Sequence, residues 1–424
     1  MTTARVQTNP SISAHLPRKL SISSWIWSWI TSATPGEPYG DLERCFIELR
    51  DRGFNAIRVE AGLNWAFLPD GTPRGPMSFG PFIAGYSGNA STVNSVGGGC
   101  HDVLERLFKL FQLADRYDAW VILTSWEYQD SSWFVADPAI RKQVYSVPPD
   151  HRYMHLARLQ ARLIDLLKER GLAHRIAFAE VLNESDCSEV PGGEEGRRLH
   201  TEAIRFLRER HPDILISADF SDPGRENNYA LFPDNAQVFD FHVYAGAPWY
   251  FSDLFGMTIW SPDFDPQNPK KLPVLQRVLK KEIVPWDVFE KPAQNIREFW
   301  RKVVWMYENL DNDRWDQWAA ERFNLWESRI REHAEKLFYN DAQEAQRRNL
   351  PLVMDEGGFF FPPRLSRFEL SPPALAILDH MADLAIQYDY WGFLPGTYCG
   401  PEHLIWHENP EWLRQINNKF QRTP

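Results

Sequence analysis

Short apolar runs alternate along the chain with stretches whose apolar residues recur every three to four positions. The runs at 19–25, 54–60, 119–126, 175–183, 214–219, 237–244, 350–356 and 390–395 read as strands. Trp120-Val121-Ile122-Leu123 and Val238-Phe239-Asp240-Phe241 are almost continuously apolar or aromatic, which is the pattern of strands buried on both faces of a parallel sheet. Between the runs, Val103, Leu104, Leu107, Phe108, Phe111 and Ala114 keep helical spacing, as do Leu156, Leu159, Leu163, Leu166 and Leu167. Gly53 and Gly171 stand where a helix must stop before the next strand. Alternating strands and helices predict a parallel sheet, and the eight strand runs match the number that closes an α/β barrel. The expected fold is a (β/α)8 TIM barrel. An open doubly wound sheet is the alternative, but no GxGxxG or Walker A loop follows any strand.

Two segments exceed a minimal barrel unit. Residues 61–100, after strand two, are rich in Gly, Pro and Ser and contain Trp65 and Phe67. Residues 246–331, after strand six, carry Trp249, Trp260, Trp286, Trp300 and Trp305, and 298–345 reads as charged helix. Both follow the C-terminal ends of strands, where barrel sites are built, so both are expected to wall or cover one site; peripheral padding is the alternative. Residues 1–424 are otherwise expected to form one domain.

Composition narrows the function. The chain has 18 Trp, 27 Phe and 14 Tyr, more indole than packing alone needs, and a flat ring with a polar edge suits the C–H face of a sugar. A net charge of −11 without a basic stripe argues against nucleic acid and anionic membrane as partners. Cys45, Cys100, Cys187 and Cys399 are scattered without a CxxC pair, unlike a disulfide framework or zinc ribbon. No apolar leader or spanning run is visible, so the expected setting is cytoplasmic.

The predicted C-terminal strand ends hold the chemistry. In order they give Trp25 and Trp27, Arg58 and Glu60, Trp126 and Glu127, Asn183 and Glu184, Asp219, His242 and Tyr244, Asp355 and Glu356, and Trp391. Glycosidic cleavage needs one carboxyl to protonate the leaving oxygen and another to attack or to activate water. Glu184 and Glu356, ending strands four and seven, would meet across a closed barrel. A separation of about 5–5.5 Å would signal retention, and roughly 6.5–9.5 Å inversion.

The Asn183-Glu184 pair, Asp355-Glu356-Gly357-Gly358, Arg58 in Ile57-Arg58-Val59, His242-Val243-Tyr244 and Trp391 together resemble clan GH-A of the glycoside hydrolases, most nearly its cellulase-type family five. The resemblance covers residues 20–395 outside the two long segments. It implies that Glu184 is the acid/base, Glu356 the nucleophile supported by Arg58 and Tyr244, and Asn183 a contact to the sugar 2-hydroxyl. Trp391 would be a sugar platform. The ring of strand ends adds Trp27, Trp126, Glu127, Asp219 and His242, and the second long segment Trp249, as further expected substrate contacts; no metal or cofactor is expected. Trp126-Glu127-Tyr128 departs from the family, which often has a histidine there, and so does the Ala245-Gly246-Ala247-Pro248-Trp249 run after Tyr244. With Glu356 ionised, its charge is expected to keep Glu184 protonated. Two other functions fit the same barrel: a metal-dependent sugar isomerase or epimerase using Glu184, Asp219, His242 and Glu356, and a carbohydrate-binding protein without turnover.

Overall fold

The computed structural model describes residues 12–86, 88–89, 98–129, 131–221, 228–294, 296–359 and 362–422. Residues 1–11, and positions 87, 90–97 and 295 of the two long segments, lie outside them. Eight parallel strands are β1 (Leu20–Ile26), β2 (Ala56–Glu60), β3 (Trp120–Thr124), β4 (Ile176–Glu180), β5 (Ile216–Ser217), β6 (Phe239–Asp240), β7 (Leu352–Met354) and β8 (Gly392–Phe393). Their order is β5-β4-β3-β2-β1-β8-β7-β6, and a parallel bridge between Ala218 and Phe239 joins the two outer strands. The sheet therefore closes, and each expected strand contributes one stave. β1, β2 and β4 are buried along their whole length, as their apolar runs require.

Helices return the chain between staves: α1 (Leu42–Asp51), α2 (Val103–Arg116), α3 (Arg152–Glu169), α4 (Gly193–Arg210), α5 (Asn312–Arg348), α6 (Pro372–Gln387) and α7 (Pro410–Gln421). A single turn, Asn228–Leu231, follows β5. Side-chain caps start several of them: Asp41 accepts from the Arg44 N–H, Asp102 from Glu105 and Asp311 from Arg314. Gly53 (φ +80°) closes the turn after α1, a left-handed conformation that glycine adopts without a Cβ clash.

The long segment after β2 contains an antiparallel pair, Met77–Phe79 with Gly99–His101. The one after β6 holds several short helices and the helix Glu298–Asn309 before the 37-residue α5. The two touch: Tyr86 packs edge-on against Phe289, and the Asn89 amide donates to the Tyr307 carbonyl at 2.8 Å. Among the described residues no helix is long and apolar enough to cross a membrane.

Candidate active site

The charged centre of the barrel mouth is organised by one arginine. Arg58, on β2 and fully buried, donates through Nη1 to Glu356 Oε2 at 2.9 Å. Its Nη2 reaches Asp219 Oδ2 (2.6 Å), Asn183 Oδ1 (2.7 Å) and Glu180 Oε2 (3.0 Å), and its Nε lies 2.7 Å from Asp355 Oδ2. The Trp126 ring lies against the guanidinium at 4.5 Å, and Trp27 meets Trp126 edge-on. Burial works against the arginine's charge, but Asp355, Glu180, Asp219 and Glu356 outweigh it and hold its pKa well above the ordinary value. A planar fork with several donors can satisfy this many acceptors; an ammonium could not.

Glu184 follows β4 in a left-handed backbone conformation (φ +42°), fixed where its N–H donates to Asp219 Oδ1. Its Oε1 lies 2.8 Å from His242 Nδ1, and its Oε2 accepts from Gln129 Nε2 at 2.7 Å. The Gln129 carbonyl oxygen of the side chain accepts in turn from Asn183 Nδ2, so one glutamine fastens both members of the Asn-Glu pair.

Glu356 is set by glycines. Gly357 and Gly358 pair in parallel with Val243 and Tyr244, and a Cβ on Gly357 would come within 2.5 Å of the Val243 carbonyl oxygen. This close approach brings the Tyr244 hydroxyl to Glu356 Oε1, to which it donates. Oxygen atoms of Glu184 and Glu356 and a ring nitrogen of His242 all lie within 4.8 Å of one another. Both carboxyls are nearly buried, Glu184 8% and Glu356 5% exposed, so they stand in a largely desolvated site.

The electrostatic polarity differs from the expected one. Burial pushes Glu184 up, but the hydrogen bond and charge of His242, with Gln129 and Arg58, bring it below the usual carboxylate range. Burial raises Glu356, and the neighbouring Glu184 adds to this against the pull of His242, Arg58 and Tyr244. Burial disfavours a charged His242, yet Glu356, Asp355, Glu184 and Asp219 keep it protonated well above its ordinary pKa. A His242–Glu184 ion pair thus holds the proton expected on Glu184 alone.

Arg58, Asn183, Glu184, Asp219, His242, Tyr244 and Glu356 converge as a single cluster, with Trp126 and Trp27 beside it. Asp219, His242 and Arg58 are fully buried, and each touches one of the two glutamates. Three expected contacts lie elsewhere. Trp391 precedes β8, at its N-terminal end, where its indole N–H donates to the Pro17 carbonyl. Trp249 is fully buried between Phe323 and Phe368 and has no free face for a sugar. Glu127 turns from the cleft to accept from the Asn64 N–H and Ser125, beside Glu60.

Two cleft residues escaped the sequence reading. Gln129 lies three positions past Trp126, where a polar residue closing an aromatic strand end was the available signal. Tyr398 lies beyond the Pro395-Gly396 turn, with its hydroxyl 3.3 Å from that of Tyr244 and 3.5 Å from Glu356 Oε1. A second acidic trio, Glu180, Asp240 and Asp355, lies at the barrel centre with its oxygens close enough to hold a cation. Burial, with Asp355 and Glu180, raises Asp240 well above its ordinary pKa, so a retained proton also answers the crowding.

The cleft belongs to the class of barrels with paired carboxylates at the strand C-termini. No family model and no curated protein matches the chain. Solved structures share its fold at low identity. A Parabacteroides distasonis protein provisionally assigned as a glycoside hydrolase is 14% identical, with a TM-score of 0.68 over 96% of this chain and 95% of that one. An alanine variant of a glycoside hydrolase family 5 mannosidase from Rhizomucor miehei is 13% identical, with a TM-score of 0.52 over 97% of each chain.

Proposed function

We propose that this protein is a retaining glycoside hydrolase in which Glu356 is the nucleophile and Glu184 the acid/base. The observation that carries this reading is the closeness of the two carboxylates, with oxygens inside 4.8 Å, each held by a different set of donors at one barrel mouth. That spacing favours direct attack over an intervening water. Glu356 attacks the anomeric carbon as the glycosidic C–O bond breaks. The leaving oxygen takes the proton held between Glu184 and His242, and passage through Glu184 leaves the imidazole neutral. In the second half a water loses a proton to the same pair and attacks the glycosyl–Glu356 ester, restoring the carboxylate. Arg58 and Tyr244 stabilise Glu356 as a leaving carboxylate. The substrate is a glycoside or short oligosaccharide, with the segments 61–100 and 246–331 of a single catalytic domain walling the cleft.

Aryl α- and β-glycosides of several sugars, assayed with wild type and Glu356→Gln, test the reading. Wild type is expected to release the aryl group from at least one, and the variant to be roughly a thousand-fold slower or worse while keeping its fold. Undiminished turnover in Glu356→Gln removes it as nucleophile. The Glu184, His242 and Glu356 trio could also bind a cation, as a sugar isomerase requires. Activity that disappears with EDTA and returns with Mg or Mn would favour that alternative.

A further inference from the structure

The loop after β8 is built at a cost in backbone strain. Tyr398 (φ +58°) and Cys399 (φ +52°) are consecutive non-glycine residues in the left-handed region, a conformation that persists only where its surroundings enforce it and that concentrates at functional sites. The surroundings here are specific. Thr397 Oγ1 donates to the Phe359 carbonyl at 2.7 Å and accepts from the Phe359 N–H at 3.0 Å, while the Thr397 N–H donates to Glu369 at 3.1 Å. The Tyr398 carbonyl accepts from the Ser24 N–H at 2.8 Å, and the Cys399 carbonyl from Ser23 Oγ at 2.7 Å. Gly358 (φ +83°) lets the β7 loop approach so closely that a Cβ there would lie 2.7 Å from the Gly396 carbonyl carbon. The loops after β7 and β8 are thus locked together by the Thr397 hydroxyl on the Phe359 backbone and by the close approach at Gly358, two residues from Glu356.

The outcome of this construction is the position of one side chain. The Tyr398 ring is buried and stacks on His403 at 5.6 Å, with its hydroxyl facing Tyr244 and Glu356 Oε1. We propose that Tyr398 is a catalytic residue whose phenol completes, with Tyr244, a two-hydroxyl clamp on Glu356 Oε1, while Arg58 holds Oε2. It supplies the aromatic group at the β8 side of the cleft that Trp391, at the other end of the strand, cannot. Because burial and the charge of Glu356 keep the phenol protonated, it remains a donor throughout the working pH range. Its hydroxyl stabilises the Glu356 carboxylate before attack and again as that carboxylate departs.

This rests on the hydrolase reading, but one of its tests does not. Tyr398→Phe keeps the ring and its stacking and deletes only the hydroxyl. Loss of a donor to the carboxylate must raise the pKa of Glu356. The acidic limb of kcat/KM should therefore move to higher pH, with kcat falling about tenfold, whereas a merely structural role would leave that limb in place. Independently of turnover, the carboxyl carbon of Glu356 can be followed by 13C NMR titration in both proteins, assigned with Glu356→Gln. An upward displacement of its midpoint in Tyr398→Phe supports the clamp even if no glycoside is hydrolysed, a result that would reject the hydrolase reading alone. Superimposable titrations of Glu356 in the two proteins overturn the proposal.

Discussion

Arg58 carries a dense set of obligations, with four carboxylates, an asparagine and an indole ring around one guanidinium. Around it stand Glu180, Asp219, Asp240, Asp355 and Glu356, all buried, with His242 as the neighbouring cation. Charge is divided among them by environment. Burial lifts Asp219 and Asp240 well above their ordinary range, while Arg58 and His242 overcome the burial of Asp355 and bring it below its own. Replacing Arg58 by Met would take from Asp355 its strongest partner and from Glu356 a direct ion pair, in a buried site. A destabilisation of about 3–5 kcal/mol is expected, the usual result of removing one side of a buried ion pair, together with loss of turnover. Urea unfolding near neutral pH measures it; a change below about 1 kcal/mol would show that protons, not the guanidinium, already neutralise the cluster. Arg58 was legible in the sequence because it falls inside an apolar run, where an ion needs a reason to be. Gln129 and Tyr398 were not, because they lie in loops where no period constrains which way a side chain points.

At the level of elements, the apolar runs located every stave of the barrel, since burial on both faces leaves a contiguous signature. They did not locate the ends. β8 extends only over Gly392–Phe393, so Trp391 falls at the opposite end of the strand from the cleft, and a residue five positions past the strand takes the place assigned to it. Trp249 failed for a related reason: an aromatic in an insertion can as easily fill that insertion's own core, here against Phe323 of α5. The insertion nevertheless reaches the chemistry. Arg297, at the start of helix Glu298–Asn309, donates to the backbone carbonyls of Gln129 (2.8 Å) and Cys187 (3.3 Å), tying together the loops after β3 and β4. Gln129 in turn holds Asn183 and Glu184. Arg297→Ala should lower kcat/KM by about ten- to a hundredfold through misplacement of Glu184. Because Arg297 is partly exposed, it should cost no more than about 1 kcal/mol of stability. Kinetics compared with urea unfolding separates the two effects, and unchanged kinetics would reduce the insertion to padding.

Across the whole molecule, the loop that carries Tyr398 is flanked by two further buried acids whose titration links the cleft to global stability. Glu369 accepts from the Thr397 N–H and Glu402 from the Tyr39 hydroxyl, and burial pushes each up to about 7 from an ordinary 4.5. Between those two values the native protein holds protons that the unfolded chain has released. Raising the pH through this window therefore favours unfolding, and the penalty is complete above the native pKa. Each acid should cost on the order of 3 kcal/mol across the window. Unfolding midpoints in urea should accordingly fall between about pH 5 and about pH 8. Glu369→Gln and Glu402→Gln keep an amide oxygen to accept the same hydrogen bond but cannot ionise, so each should flatten that decline, and the double variant should flatten it further. A wild-type midpoint that stays level or rises over this window would mean that both carboxyls ionise inside the fold, with solvent or a cation reaching the back of the β8 loop.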